Sequence, residues 1–210
     1  DNFDLETSHV LPALIRKFHL AKLAAEGDVR EIERDEVRFG PIPEEILRDL
    51  GVERKSSTTE TQRTQSVKGK NNSSQRPLRL CGESPLVRLW GTGSPLREFL
   101  HVDDLAAACV FLLEKVDYQD IAFTDASGTV QSHVNVGSGE EISIRELAEL
   151  VQQAVGFQGQ VVWDSDKPDG TPRKFMTSER LRQQGWQPLI TLQAGIAAAY
   201  REYCSAGHTR

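Results

Sequence analysis

The stretch that decides the fold class is His133–Trp163, which reads HVNVGSGEEISIRELAELVQQAVGFQGQVVW. Its first four residues, His133–Val136, predict a short strand, and a tight glycine loop follows them. Ser143 and Glu146 have the spacing of a capping box, which predicts the start of a helix. Gln160–Trp163 predicts the next strand. Strand, helix and strand in this order are typical of the α/β class, and we assign the chain to it.

The N-terminal part of the chain predicts a helix that begins near Val10. Apolar residues recur there at helical spacing and form one stripe: Leu11, Leu14, Ile15, Phe18 and Ala21. Thr7 or Ser8 is expected to cap the helix, and Gly27 to end it. The basic residues between them are expected on the other faces of the helix, and they are Arg16, Lys17, His19 and Lys22.

Further elements are predicted after Pro85. They are a strand at Leu86–Trp90, an extended piece at Arg97–Val102, a helix from Leu105 to about Lys115 capped by Asp103 or Asp104, a short helix at Glu179–Gln184 and a last helix at Leu192–Cys204. The helix that begins at Leu105 is apolar almost all round, so we expect other layers to cover it on several sides.

The three predicted parts of the chain are a substrate-site helix (1–25), an insertion (26–85) and a substrate-binding α/β portion (86–210). The insertion is expected to be mostly flexible, with one possible helix from Pro43 to Leu50. Residues 56–75 contain a single aliphatic residue, Val67, and no aromatic residue. They bury too little apolar surface to offset the entropy of ordering, so we predict disorder. A basic tail that grips a partner is the alternative for this segment.

Composition excludes several classes of protein. The net charge of −6 argues against a nucleic-acid binder that relies on phosphate neutralisation. No apolar run approaches the roughly 18 residues of a membrane helix, so no membrane span is expected. The three cysteines, Cys81, Cys109 and Cys204, form no disulfide framework, which favours a reducing, cytoplasmic setting. His and Cys residues show no metal-binding spacing, so no metal site is expected.

Two Gly-x-Gly loops are poor dinucleotide sites. The third glycine of the fingerprint would fall on Ile142 in one loop and on Leu96 in the other. In the first loop, Glu140 and Glu141 stand where a pyrophosphate needs backbone donors and positive potential.

Three local features instead suggest a ligand site, although each also has a structural reading. His9 lies at a helix N-terminus with Lys17 two turns further on, an arrangement that favours an anion and offers a proton donor. Trp90 offers a stacking face for a base, and Arg97 offers a fork for phosphate. Asp169, in a stiff charged loop, is a possible acceptor for sugar hydroxyls. Taken singly, the histidine is more often structural, the tryptophan core and the loop an ordinary turn.

Four segments, in order, closely resemble the GDP-L-fucose synthases, a family within the extended short-chain dehydrogenase/reductases. They are Asp1–His19 (DNFDLETSHVLPALIRKFH), Trp90–Leu105 (WGTGSPLREFLHVDDL), Asn135–Glu141 (NVGSGEE) and Lys167–Lys174 (KPDGTPRK). The resemblance covers most of the chain outside residues 26–85. That intervening segment is also longer than in compact members of the family, which suggests a surface insertion.

The resemblance implies an NADPH-dependent enzyme with a Rossmann-type fold. Such an enzyme epimerises C3 and C5 of GDP-4-keto-6-deoxy-D-mannose and then reduces its C4 ketone to give GDP-L-fucose. By the same resemblance, His9 is the acid of the epimerisation and lies beside the cofactor NADP(H). Lys17 contacts the substrate, Trp90 and Arg97 hold the GDP part, and Asp169 is an acidic substrate contact. A homodimer is implied as well.

Parts of the family pattern are missing from these residues. The Gly-rich cofactor loop, the catalytic Ser and Cys and the Tyr-x-x-x-Lys pair should precede the Asn2-Phe3 segment. The chain's tyrosines lack the lysine four residues later: Tyr118, Tyr200 and Tyr203 are followed there by Ala122, Cys204 and Gly207. We therefore expect the C-terminal portion of the enzyme, with most of the cofactor site in an absent N-terminal part and no turnover by this chain alone.

Two alternatives remain open at this stage. One is a non-catalytic nucleotide-sugar-binding or dimerisation module. The other is another extended-family epimerase that uses a different nucleotide sugar.

Overall fold

The computed structural model describes residues 2–55 and 76–205. The helices are α1 (Val10–Glu26), α2 (Val29–Phe39), α3 (Glu44–Asp49), α4 (Val102–Lys115), α5 (Tyr118–Ile121), α6 (Ile144–Val155), α7 (Glu179–Gln183) and α8 (Leu192–Ser205). The strands are β1 (Val52–Arg54), β2 (Leu78–Leu80), β3 (Leu86–Trp90), β4 (Leu96–Glu98), β5 (Phe123–Thr124), β6 (Val130–Gln131), β7 (Glu141–Ser143), β8 (Gln160–Asp164) and β9 (Arg173–Lys174). This mixture confirms the α/β prediction.

The chain forms two compact units, Asp1–Leu89 with Val151–Asp164, and Trp90–Leu150 with Ser165–Arg210. We call them unit 1 and unit 2. The boundaries of these units are not those of the three parts predicted from the sequence, which stay a prediction. The described segment after Glu26 belongs to unit 1, together with α1. The predicted disorder and the alternative basic tail at 56–75 lie outside the described residues.

Unit 1 is built on α1, which buries the predicted apolar stripe. Phe18 is fully buried, and its ring lies 6.0 Å from that of Phe157. Gly27 ends the helix as predicted, with a left-handed φ of 78° and its N–H bonded to the carbonyls of Leu23 and Ala24. β3 pairs with β8, and β1 pairs antiparallel with β2.

Two expectations for unit 1 are wrong. Only one helix was predicted between Glu26 and Lys55, at Pro43–Leu50. That helix is confirmed as α3, but the stretch also contains α2 and β1, which were not predicted. Its order depends on buried ion pairs that a count of apolar residues does not register. The guanidinium of Arg54, only 8% exposed, bonds Glu36 and Glu44. Arg16, expected on an outer face of α1, is fully buried.

In unit 2, β4 pairs antiparallel with β7 and parallel with β9. The predicted capping box is confirmed: the Ser143 hydroxyl accepts from the Glu146 N–H, and the Glu146 carboxylate accepts from the Ser143 N–H. α7 and α8 also form as predicted. A small core contains Ala108 of α4, Leu181 and Trp186.

Three predicted features of unit 2 need correction. His133–Val136 is not a strand. The Arg180 side chain donates to the His133 carbonyl, which a neighbouring strand would otherwise bond, and the Asn135 side chain donates to the Thr177 carbonyl. The extended piece ends at Glu98, because α4 begins at Val102, before the predicted start. His101, not an aspartate, caps α4.

Asp104, the buried aspartate in the first turn of α4, bonds a distant part of unit 2 instead of capping the helix. The Asp104 carboxylate accepts from the N–H groups of Leu189 and Ile190. The apolar outer surface of α4 stays uncovered among the described residues, with Leu113 88% exposed and Val102 68% exposed. The expected layers over this helix are therefore not found there.

The small core of unit 2 predicts a contrast between two leucines. Leu181 is fully buried and Leu189 is 87% exposed. Leu181→Ala should lower the free energy of unfolding by about 2–5 kcal/mol, because it leaves a cavity beside Trp186. Leu189→Ala should change it by less than about 0.5 kcal/mol. Urea unfolding followed by tryptophan fluorescence measures both, and equal effects would contradict the packing described.

Candidate active site

The segment before α1 is fixed by one carboxylate. Asp4 Oδ1 accepts from the N–H groups of Glu6 (3.1 Å) and Thr7 (2.9 Å) and from the Thr7 hydroxyl (2.8 Å). These bonds, above all that from the Thr7 hydroxyl, hold the pKa of Asp4 below its ordinary value. Thr7 is thus engaged with Asp4 and does not cap α1. Neither does Ser8.

His9 is the N-cap residue of α1, and its imidazole is exposed. The His9 side chain makes no capping bond to the first turn, and Pro12 has no N–H group. The positive end of the helix and an exposed imidazole therefore lie together, an arrangement suited to an anionic ligand that also needs a proton.

Lys17 lies further along α1, in a small pocket of unit 1. Its Nζ donates to the Arg88 carbonyl at 3.4 Å, and Ile46 and Asp49 of α3 are among the residues that line the pocket. Burial lowers the pKa of Lys17, while the Glu45 and Asp49 carboxylates act in the opposite direction. The eight residues that separate His9 from Lys17 correspond to about 12 Å of helix, so the two side chains suit different parts of one ligand.

Unit 2 brings the other three predicted residues together. Trp90 ends β3 with a 60% exposed side chain, and the Lys167 ammonium lies 5.3 Å from the centroid of its ring. The parallel pairing of β4 with β9 places Arg97 opposite Lys174. The loop that carries Asp169 therefore lies beside both Trp90 and Arg97.

Asp169 holds the turn that follows Trp90. Its Oδ1 accepts from the Thr92 N–H at 2.8 Å, and its Oδ2 accepts from the Thr92 hydroxyl at 2.7 Å. These bonds lower the pKa of Asp169. A Cβ on Gly91, where φ is 77°, would lie 2.2 Å from Asp169 Oδ1, so only glycine fits. Arg145 supports the same turn by donating to the Thr92 carbonyl.

Arg97 is half-buried against the same loop. Its Nη1 donates to the carbonyls of Leu96 (2.6 Å) and Thr171 (2.8 Å). A guanidinium has five N–H groups, so Nε and Nη2 carry three more. Arg97 is thus anchored by one nitrogen and retains the edge that a phosphate would bind.

The glycine loop at 137–139 is occupied by protein groups. Glu98 Oε1 accepts from the Gly139 N–H at 2.6 Å, and Arg182 donates to the Ser138 carbonyl. A Cβ on Gly137 would lie 2.4 Å from the Glu98 carboxylate. The backbone donor that a pyrophosphate would need is therefore already paired with a carboxylate.

Sequence reasoning missed several residues that support the site. The chain around the predicted residues is positioned by Arg16, Thr92 and Arg145. Only Thr92 could have been noticed in the sequence, because it stands between two glycines. Within residues 2–55 and 76–205, no cluster of His, Cys, Asp and Glu is suited to a metal ion. Among the helices described, none is long and apolar enough to cross a membrane.

The Asp169 bonds predict a pH-dependent turn. Because the folded pKa of Asp169 is depressed, its carboxylate stabilises the turn above the ordinary value of 3.8, and this stabilisation is lost as the pH falls through the lower folded pKa. The Thr92 amide signal in NMR should follow that titration, and Asp169→Asn should abolish the dependence. Asp103→Asn, at an exposed carboxyl of the same unit, is the control. A Thr92 signal that ignores acidification would contradict the bond.

Comparison with known proteins gives matches along nearly the whole chain. Residues 68–137 match the model of the NAD dependent epimerase/dehydratase family. The probable GDP-L-fucose synthase 1 of Oryza sativa subsp. japonica is 40% identical over 97% of this chain, which covers 40% of that protein. The chain thus spans about two fifths of the length of this curated relative.

Two solved structures from Campylobacter jejuni are similar as well. A GDP-6-OMe-4-keto-L-xylo-heptose reductase is 32% identical, with a TM-score of 0.71 over 98% of this chain and 50% of its own. A GDP-mannoheptose C4 reductase, solved with NADP bound, is 31% identical, with a TM-score of 0.65 over 97% of this chain and 48% of its own. The chain is therefore similar over nearly all of its length to part of the GDP-L-fucose synthases, and residues 68–137 match the NAD dependent epimerase/dehydratase family.

Proposed function

We propose that this chain is the nucleotide-sugar-binding part of a GDP-L-fucose synthase. That enzyme would epimerise C3 and C5 of GDP-4-keto-6-deoxy-D-mannose and reduce C4 with NADPH. The observation that carries the proposal is the convergence of Trp90, Arg97 and Asp169 in unit 2, together with 40% identity to a probable GDP-L-fucose synthase. Sequence separation alone did not require these three residues to meet.

The GDP part of the substrate matches the chemistry around Trp90. The exposed indole face suits a guanine base, and Lys167 already shows that the ring accepts a cation over its face. The edge of Arg97 formed by Nε and Nη2 suits the diphosphate. Lys17 is proposed separately, from the family resemblance, as a cationic substrate contact within unit 1. Asp169 would contact the sugar as a hydrogen-bond acceptor in addition to holding Thr92.

His9 fits the role of an acid in the epimerisation. The C4 ketone acidifies the C3 and C5 protons, so the reaction needs a base, an acid and a group that polarises the carbonyl. An exposed imidazole at a helix N-terminus can donate the returning proton. The ketone-polarising tyrosine and the cofactor-orienting lysine have no counterpart among these 210 residues, and we propose that another part of the protein supplies them.

NADP(H) is the proposed hydride donor. Its support is the NADP bound in a similar reductase structure and the family match. Most of the cofactor contacts would come from outside this chain, with His9 as the contact within it. We also propose that the protein is a homodimer, which light scattering of the purified protein would test. We propose the cytoplasm as its location, which cell fractionation with marker enzymes would test.

A GDP-4-keto-heptose is a second candidate substrate. It is favoured by the whole-chain similarity to two Campylobacter jejuni enzymes named for GDP-heptose reactions. Both candidates share the GDP group and a ketone at C4. Steady-state kinetics with the two keto sugars would separate them, because the true substrate has the higher kcat/KM.

His9→Ala tests the catalytic proposal. In the full-length enzyme, solvent deuterium incorporation at C3 and C5 should slow by about 10²–10⁴-fold, the usual contribution of a positioned general acid, while NADPH binding remains measurable. His133→Ala is the control, because this exposed histidine lies in unit 2. Normal exchange in His9→Ala would assign the acid to another residue.

Arg97→Ala tests the nucleotide site. Loss of the guanidinium should weaken GDP-sugar binding by about 2–5 kcal/mol in calorimetry, as for removal of one partner of a buried charge pair. Lys174→Ala, which changes the exposed register neighbour of Arg97, should bind nearly as tightly as the wild type. An unchanged Kd in Arg97→Ala, or a preference for UDP over GDP in the wild type, would overturn the assignment.

A further inference from the structure

Arg16 makes four hydrogen bonds inside unit 1 although its side chain is fully buried. Its Nε donates to Asp35 Oδ1 at 2.8 Å. Its Nη1 donates to the carbonyls of Phe3 (3.1 Å) and Phe39 (2.9 Å), and its Nη2 donates to that of Gly40 (2.6 Å). Four of the five N–H groups of the guanidinium are thus paired.

These bonds join α1 to the segment before it and to α2 and its end. Asp35 and Phe39 belong to α2 and Gly40 follows it, inside the segment predicted as an insertion. Phe3 belongs to the segment that leads to His9. A buried ion pair is rarely the cheapest way to stabilise a core, because desolvation costs several kcal/mol per ion and apolar side chains often replace such pairs without loss. Its directional bonds, in contrast, fix the position of each acceptor.

A short chain of contacts connects the Arg16 guanidinium to His9. The Phe3 ring packs edge-on against Phe39 with centroids 5.2 Å apart, so both its carbonyl and its side chain are held. The next residue, Asp4, organises the turn, and its carbonyl accepts from the Ser8 N–H at 3.0 Å. His9 follows directly as the N-cap of α1.

We infer that Arg16 is a positioning residue for His9, and that α2 takes part in the substrate site through Asp35, Phe39 and Gly40. The inference rests on the proposed function for the role of His9. In this arrangement the segment after Glu26 is not a passive surface addition. It supplies acceptors that keep Arg16, and through it the chain before His9, in one place.

The first test compares two lysine variants of the full-length enzyme. Arg16→Lys keeps the charge but loses the fork, so the rate of deuterium exchange at C3 and C5 should fall by roughly 10²-fold, the scale of a 1 Å misplacement, with KM little changed. Arg54→Lys is the matched control. Arg54 also bonds two carboxylates and a carbonyl of this segment, those of Glu36, Glu44 and Ile42. In Arg54→Lys the rate of deuterium exchange at C3 and C5 should stay normal, although its Tm should fall by about as much as that of Arg16→Lys.

A double-mutant cycle separates positioning from general destabilisation. If Arg16 acts through His9, Arg16→Lys should cause no further loss of exchange in the His9→Ala background. Additive losses, or equal rates in Arg16→Lys and Arg54→Lys, would overturn the inference. If Arg16→Lys does not fold, Asp35→Asn replaces it, since it leaves the three carbonyl acceptors in place and should slow exchange less strongly.

Hydrogen exchange of the backbone gives a readout that does not depend on the reaction. Mass spectrometry of the peptide that covers residues 2–9 should show faster amide exchange in Arg16→Lys than in Arg54→Lys. Equal protection would overturn the positioning role even if His9 is the acid. If protection is lost only in Arg16→Lys while sugar exchange is normal in His9→Ala, the positioning of the segment before α1 is upheld and the proposed role of His9 as the acid is overturned instead.

Discussion

The buried guanidinium of Arg16 is the constraint on which the arrangement of unit 1 depends. A charge at zero exposure is tolerable only where nearly every N–H finds an acceptor, and here four do. Because the acceptors come from before α1 and from α2 and its end, none of these pieces can shift without leaving the charge unpaired. α1 could bury its apolar stripe in many similar orientations, whereas the bonds to Arg16 permit few.

Unit 2 uses a carboxylate in the same way. Asp169 bonds the amide and hydroxyl of Thr92. It lies so close to Gly91 that a side chain at that position would clash with it. In each unit a charged side chain binds a backbone group near a predicted site residue in the sequence. Arg16 binds the Phe3 carbonyl, six residues before His9, and Asp169 binds the Thr92 N–H, two residues after Trp90. Apolar packing determines which surfaces are buried, but directional bonds determine where His9 and Trp90 are held. This distinction matters for catalysis, where small displacements of a reacting group cost large factors in rate.

The sequence predicted those elements whose signals are local. The stripe of α1, its glycine end and the Ser143–Glu146 capping box all depend on residues within a few positions of one another. α2 was not predicted because Asp35 pairs with Arg16, which lies 19 positions earlier. From the sequence alone, the charge of Asp35 argued against an ordered, buried segment. His133–Val136 has strand-like composition, yet a strand also needs a partner strand, and its first carbonyl, that of His133, is bonded by the Arg180 side chain instead. The candidate site residues rest on the family resemblance and stay predictions, whereas the bonds around them became visible only in the structure.

Net charge was a poor guide to the ligand for a related reason. The chain carries −6 overall, which argues against a nucleic-acid binder that relies on phosphate neutralisation, yet the proposed substrate is itself an anionic nucleotide sugar. Many of its acids are engaged internally: Asp35 with Arg16, Glu36 with Arg54, Asp49 with Arg88 and Glu141 with Arg173. A carboxylate paired at hydrogen-bond distance contributes little field a few ångströms away, so the potential near a diphosphate depends on the cations beside it. Around Trp90 these are Lys167 and Arg97, and the first of them already lies over the ring that would receive the base.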